Sequence, residues 1–121
     1  MLTHYCAVFT VKNLVKSLNY YVDLLGFTII DHYGQPMYYA EVKKDEAQSL
    51  MLLENKDFSR PISDVVSLAF YSSHIDRQYQ DFNTRGVTIL ETIENKEYNM
   101  REFSIMDPDG YIIVFRQTLQ H

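Results

Sequence analysis

The residues of this chain that could do chemistry are few and scattered. Cys6 is the single cysteine and the one candidate nucleophile. An activated thiol needs a basic neighbour or a helix N-terminus to favour thiolate, and the sequence places neither beside it. One cysteine also forms no internal disulfide and no Cys-rich zinc framework. The four histidines, His4, His32, His74 and His121, show no His-x-His or His-Glu-x-x-His spacing, so each is expected at the surface or in a local hydrogen bond. Glu54, Asp57 and Asp64 lie in or beside a polar stretch, and Glu91, Glu94 and Glu97 crowd a charged turn. All six read as solvated rather than as a paired acid and base.

The elements that would position these residues follow from periodicity. Residues 4–11 are rich in β-branched and aromatic side chains and predict a strand. Leu14, Leu18, Tyr21, Val22 and Leu25 then fall on one helical stripe, with Asn13 as N-cap and Gly26 as the stop. Strands are expected over 27–32, 37–42 and 49–53, and the polar segment 54–64, with Pro61, is the expected linker. The pattern then restarts. A strand over 65–71 leads to a helix carrying Ile75, Tyr79 and Phe82, capped by Ser72 or Ser73 and closed by Gly86. Strands over 87–93, 100–106 and 111–117 complete the chain.

Register argues that the second half repeats the first. Leu14, Leu18 and Tyr21 match Ile75, Tyr79 and Phe82 at an offset of 61, and Gly26-Phe-Thr-Ile matches Gly86-Val-Thr-Ile at 60. Leu50–Leu53 matches Ile113–Arg116 at 63. The expected fold is therefore α+β, two tandem β-α-β-β-β repeats at about 4–53 and 65–117 within one domain, 1–121. Their curved mixed sheet would surround a cleft, with the helices on the convex outside. A ferredoxin-like sandwich, with two helices and four strands, fits eight strands poorly.

Composition excludes several function classes. Eleven Lys and Arg stand against sixteen Asp and Glu, a net charge of −5, which argues against a nucleic-acid partner. The longest apolar runs, such as Leu50–Leu53, are too short to span a bilayer, so no membrane partner is expected. Residues 1–11 lack the basic flank, apolar stretch and cleavage site of a signal peptide, and the expected location is cytoplasmic.

Two segments carry a family resemblance. The stretch 11–27, a strand running into a helix that ends in Leu25-Gly-Phe27, resembles the opening of the vicinal oxygen chelate superfamily. Arg101-Glu-Phe-Ser-Ile-Met-Asp-Pro-Asp-Gly-Tyr-Ile-Ile-Val-Phe115 resembles its last hairpin, and the Arg-Glu-Phe lead-in resembles the bleomycin-resistance branch. The hairpin has a physical reading too: Pro108 presets φ, Asp107 accepts turn amides and Gly110 tolerates positive φ. Asp107 and Asp109 are thus expected as turn formers.

The resemblance implies four cleft-facing positions, which hold metal ligands in the superfamily's lyases, dioxygenases and epimerases. Here they fall on Cys6, Met51, Ser67 and Val114. A divalent first-row metal needs imidazole or carboxylate donors, so no metal and no cofactor is expected. A register shift of two would bring in His4 but no companion ligands. Taking alternate residues from these positions gives an expected ligand-binding lining of Cys6, Val8, Met51, Leu53, Ser67, Ala69, Tyr71 and Val114, with Ile112 beside them. Tyr38 and Arg101, equivalent at 63, join it from the third strand of each half. An apolar cleft with few polar handles suits an organic ligand, aromatic or antibiotic-like. The resemblance implies a homodimer that binds this ligand without metal and without catalysis. The rival expectation is a divergent metal-dependent lyase, isomerase or dioxygenase.

Overall fold

The computed structural model describes residues 1–120, and the chain divides at Arg60 and Pro61, inside the expected linker, into two compact units. The first contains β1 (Ala7–Val11), α1 (Leu14–Asn19), β2 (Thr28–Gly34), β3 (Met37–Lys43) and β4 (Leu50–Glu54). The second contains β5 (Val66–Tyr71), α2 (Ile75–Arg85), β6 (Ile89–Lys96), β7 (Met100–Met106) and β8 (Ile112–Thr118). Each unit folds into a four-stranded mixed sheet with the same order, β1-β4-β3-β2 in one and β5-β8-β7-β6 in the other. In both, the first strand runs parallel to the last and the remaining neighbours are antiparallel. The β-α-β-β-β repeat read from register is thus the architecture of each half.

Each helix covers one face of its own sheet. Leu14, Leu18, Tyr21 and Leu25 are buried with Phe9, Val11, Val42, Leu50 and Leu52. In the second unit Phe82 packs edge-on against Phe103 and Phe115, which stack on each other at 5.3 Å, with Ile75, Ile105 and Ile113 buried around them. Burying a side chain of this size contributes about 1.5–3 kcal/mol, so these stripes decide which face of each strand turns inward.

The helix starts reveal a tether that no local pattern announces. Asn13 caps α1 as expected, its side chain accepting from Lys16 N. The Leu14 amide, however, donates to Glu54 Oε2 at 2.9 Å, from the end of β4. The second repeat does the same: the Ile75 amide donates to Gln117 Oε1 at 3.0 Å, and Gln117 Nε2 donates to the Ser73 carbonyl. Glu54 and Gln117 are related by the repeat offset. The expected serine cap is corrected by this: His74 is the N-cap and makes no side-chain cap bond, while Ser72 Oγ accepts from the His74 amide.

The helix ends obey the glycines. Gly26 (φ 80°) and Gly86 (φ 87°) are left-handed, a conformation that glycine adopts without a Cβ penalty. Before Gly26 the first helix widens into a π turn over Tyr20–Leu24, where the Leu25 amide reaches the Tyr20 carbonyl. The first strand is shorter than expected and starts at Ala7, leaving His4 and Cys6 ahead of it.

Candidate functional site

The face of each sheet turned away from its helix is where side chains can meet a ligand. Strand register assigns these faces. In the first unit Val8 lies opposite Met51 and Thr10 opposite Leu53, so Val8, Met51 and Leu53 share the open face. Cys6 precedes β1 as a part-buried free thiol. In the second unit Ala69 lies opposite Val114 and Tyr71 opposite Arg116, again on the open face.

Three expected lining residues are placed otherwise. Ser67 falls at a bulge: Val66 pairs with Ile112 and Leu68 with Ile113, so Val66 occupies the open-face place assigned to Ser67. Tyr38 alternates with Ala40 and Val42, both fully buried on the helix side, and packs edge-on against Tyr33 near the hairpin turn. Arg101 sits opposite Gln117, and its guanidinium bonds Asp76 of α2 at 2.8 Å and Asn95 at 3.0 Å. Tyr38 and Arg101 are placed otherwise for one reason. The repeat offset of 63 makes Tyr38 and Arg101 equivalent but does not give their facing, which is fixed by the burial of Val42 in one half and of Phe103 and Ile105 in the other.

The residue beside Arg101 is the one that matters. A pocket of about 410 Å³ opens on the free face of the second sheet. Glu102, Ser104 and Met106 of β7 and Ile112 and Val114 of β8 line it. Val66 and Leu90 add apolar surface, and Asp64, Glu91, Lys96 and Tyr98 add polar groups. Val114, and Ile112 beside it, are the residues named from the sequence that line this pocket. Glu102, Ser104 and Tyr98 were missed, although counting outwards from the Asp107–Gly110 turn pairs Ser104 with Val114 and Glu102 with Arg116. That hairpin register was the available signal.

Glu102 is about nine-tenths buried and heavily engaged. The Tyr98 hydroxyl donates to its Oε1. Arg116 Nη2 lies 3.1 Å from its Oε2, an ion pair without hydrogen-bond alignment. The Arg116 guanidinium in turn sits 5.6 Å from the ring centres of both Tyr71 and Tyr98. The hydrogen bond to Glu102, reinforced by burial, raises the Tyr98 phenol above its usual value. Lys96 Nζ contacts Glu94 at 2.5 Å and Glu91 at 3.8 Å. The Glu94 bond holds Lys96 protonated to higher pH and lowers Glu94.

Among the described residues, three buried side-chain polar atoms make no hydrogen bond: Glu102 Oε2, Ser104 Oγ and Arg116 Nε. All three belong to the open face of β7 and β8. The first unit offers a contrast at the positions 63 residues earlier, Tyr39 and Glu41. There the Tyr39 hydroxyl donates to Glu41 Oε1 (3.2 Å) and Asp31 Oδ2 (3.4 Å), and Ser49 Oγ donates to Glu41 Oε2. Burial and these carboxylates raise the Tyr39 phenol.

A metal does not fit the four inherited positions. Met51 and Val114 offer no imidazole or carboxylate, Ser67 is at a bulge and Cys6 stands ahead of its strand. Among the described residues no three His, Cys, Asp or Glu side chains come together as a ligand set. Nδ1 of His4 lies 2.9 Å from Thr3 Oγ1, and Nδ1 of His74 lies 2.9 Å from Ser73 Oγ. His32 is exposed on β2; His121 is outside the described residues. Asp107 is the expected turn former: its Oδ1 accepts from the Asp109 and Tyr111 amides, both at 2.9 Å. No described helix is long and apolar enough to cross a membrane.

Known proteins agree with this architecture. The chain superposes on the crystal structure of TioX from Micromonospora sp. ML1 with a TM-score of 0.78 and 15% identity, covering 97% of this chain and 99% of that one. A glyoxalase/bleomycin resistance protein/dioxygenase from Alicyclobacillus acidocaldarius gives 0.81 at 14% identity, covering 96% and 91%. A glyoxalase-related enzyme from Clostridium phytofermentans gives 0.79 at 18%, covering 98% and 97%. No functionally curated protein matches the sequence. Residues 2–115 match the sequence model of one family, nearly the whole chain, and that match, with the twice-repeated β-α-β-β-β unit, places this protein in the Glyoxalase/Bleomycin resistance protein/Dioxygenase superfamily.

Proposed function

We propose that this protein binds a small organic molecule, without a metal, in the pocket on the open face of its second sheet. The pocket carries the reading. A volume of about 410 Å³ suits a ligand of one or two rings. Val66, Leu90, Met106, Ile112 and Val114 give it apolar walls, and Glu102, Ser104 and Tyr98, with Asp64, Glu91 and Lys96, give it polar groups. Metal independence is supported by the donor chemistry at Cys6, Met51, Ser67 and Val114.

The chain is also proposed to be a homodimer. The exposed apolar side chains Val8, Val66 and Tyr71 on the first strand of each sheet support this.

The ligand reading is tested by a thermal-shift screen of aromatic and heterocyclic compounds in EDTA, with hits repeated on Val114→Trp, which fills the pocket floor. The expected result is a set of hits that raise Tm in EDTA and are lost in Val114→Trp. Hits that need added divalent metal, or that survive Val114→Trp, would overturn it.

A further inference from the structure

One side chain at the pocket combines exposure with restraint. Tyr98 lines the pocket and is 53% exposed. Exposed side chains ordinarily hop between rotamers within nanoseconds, yet this one is held at its hydroxyl, its ring face and its backbone. The hydroxyl donates to the buried Glu102. The Arg116 guanidinium lies over the ring, 5.6 Å from its centre. The backbone is fixed through the next residue, Asn99, which turns β6 into β7 with a left-handed φ of 69°. The Asn99 amide donates to the Lys96 carbonyl at 3.2 Å, and its carbonyl accepts from the Leu119 amide at 3.0 Å. Arg116 does not line the pocket, so the ring surface that Tyr98 gives to the pocket is not the face that Arg116 covers. Phe103, the other aromatic residue along the pocket, is 1% exposed and stacked on Phe115. Among the described pocket residues, Tyr98 is therefore the one accessible ring.

Glu102 is in turn paired with Arg116, so each of these three side chains touches the other two. A ring fixed before binding loses no rotamer freedom when a ligand settles on it, which is how preorganised aromatic anchors gain affinity. Resting on the binding reading above, we infer that Tyr98 is the specificity-determining residue of the pocket: a fixed platform on which a flat aromatic ring of the ligand lies. Glu102 and Arg116 are its positioning residues and act through it. The aliphatic walls, Val66, Met106, Ile112 and Val114, bury any apolar compound alike. Tyr98 alone tells an aromatic ring from a saturated one.

The test is calorimetric titration of the full chain, in EDTA at neutral pH, with naphthalenemethanol and its fully saturated decalin analogue. Apolar burial alone favours the saturated compound, which has more C–H surface, whereas stacking on a fixed ring favours the naphthalene. The native protein is expected to bind the naphthalene about threefold or more tighter. Tyr98→Leu should erase or reverse that preference. Tyr98→Phe keeps the ring and cuts its tether to Glu102; it should keep the preference and weaken the naphthalene by about threefold. The ratio of the two affinities is indifferent to a loss of stability, since both probes meet the same folded fraction. Should Tyr98→Leu fail to fold, Tyr98→Phe and the two probes on the native protein still decide. Native protein that binds both probes equally, or a preference that survives Tyr98→Leu, overturns the platform and leaves pocket binding standing. Naphthalene affinity unchanged in Tyr98→Phe overturns the positioning role of Glu102. Failure of both probes to bind overturns platform and pocket alike.

Discussion

Glu102 shows why one buried carboxylate can organise a site. Its charge is balanced by Arg116 and by the Tyr98 hydroxyl, and removing one partner strands the other in a poorly solvated place. Arg116→Met is therefore expected to lower stability by about 2–4 kcal/mol in urea unfolding, and adding Glu102→Gln should recover part of that loss. A second expectation concerns alkaline pH. Tyr98 and Tyr39 are both raised above the ordinary tyrosine value of 10.0, so the folded state favours their neutral phenols. The stability this supplies is fully present below pH 10 and is lost as pH rises through the folded values. In an ultraviolet titration of the ten tyrosines, Tyr98→Phe should remove absorbance change from the late part of the curve. Loss from the early part would contradict the bond to Glu102. At this scale the sequence was only half legible. Arg101 and Glu102, adjacent on β7, face opposite ways, and which of them lies on the open face depends on Phe103 and Ile105 going under α2, which a run of mixed residues does not announce.

Among the elements, the link between the last strand and the helix of each half is the device most open to test. Glu54 and Gln117 reach across 40 and 42 residues to cap the first amides of α1 and α2. Replacing either by alanine is expected to cost about 1 kcal/mol, as for loss of other N-terminal helix caps, while Glu54→Gln keeps an acceptor and should cost less. Denaturant midpoints of the three variants check this, and equal losses for Glu54→Ala and Glu54→Gln would contradict it. Element type was well encoded, because helical stripes and the two stop glycines are local signals. The bulge at Ser67 and the π turn at Tyr20–Leu24 were not. Both arise from how a strand or helix fits its neighbours, and neither has a residue type that marks it.

For the whole molecule, family membership and the repeated unit were legible, because the offsets of 60 to 63 and the hairpin motif span nearly the entire chain. The pocket was not. It depends on side chains from β6 and the linker end converging over β7 and β8, which no single motif encodes. If the proposed homodimer forms, light scattering at micromolar concentration should return twice the 14.3 kDa chain mass; a monomer there contradicts it. The account rests most heavily on metal-free binding, and one measurement meets that claim directly. Protein purified without chelator, and again after incubation with excess Ni, Mn or Zn and desalting, would be assayed for metal content and for binding of a compound found in the thermal-shift screen. The account predicts no stoichiometric metal in either sample and the same affinity in both. Near-stoichiometric metal, with binding that vanishes when it is stripped, would contradict it.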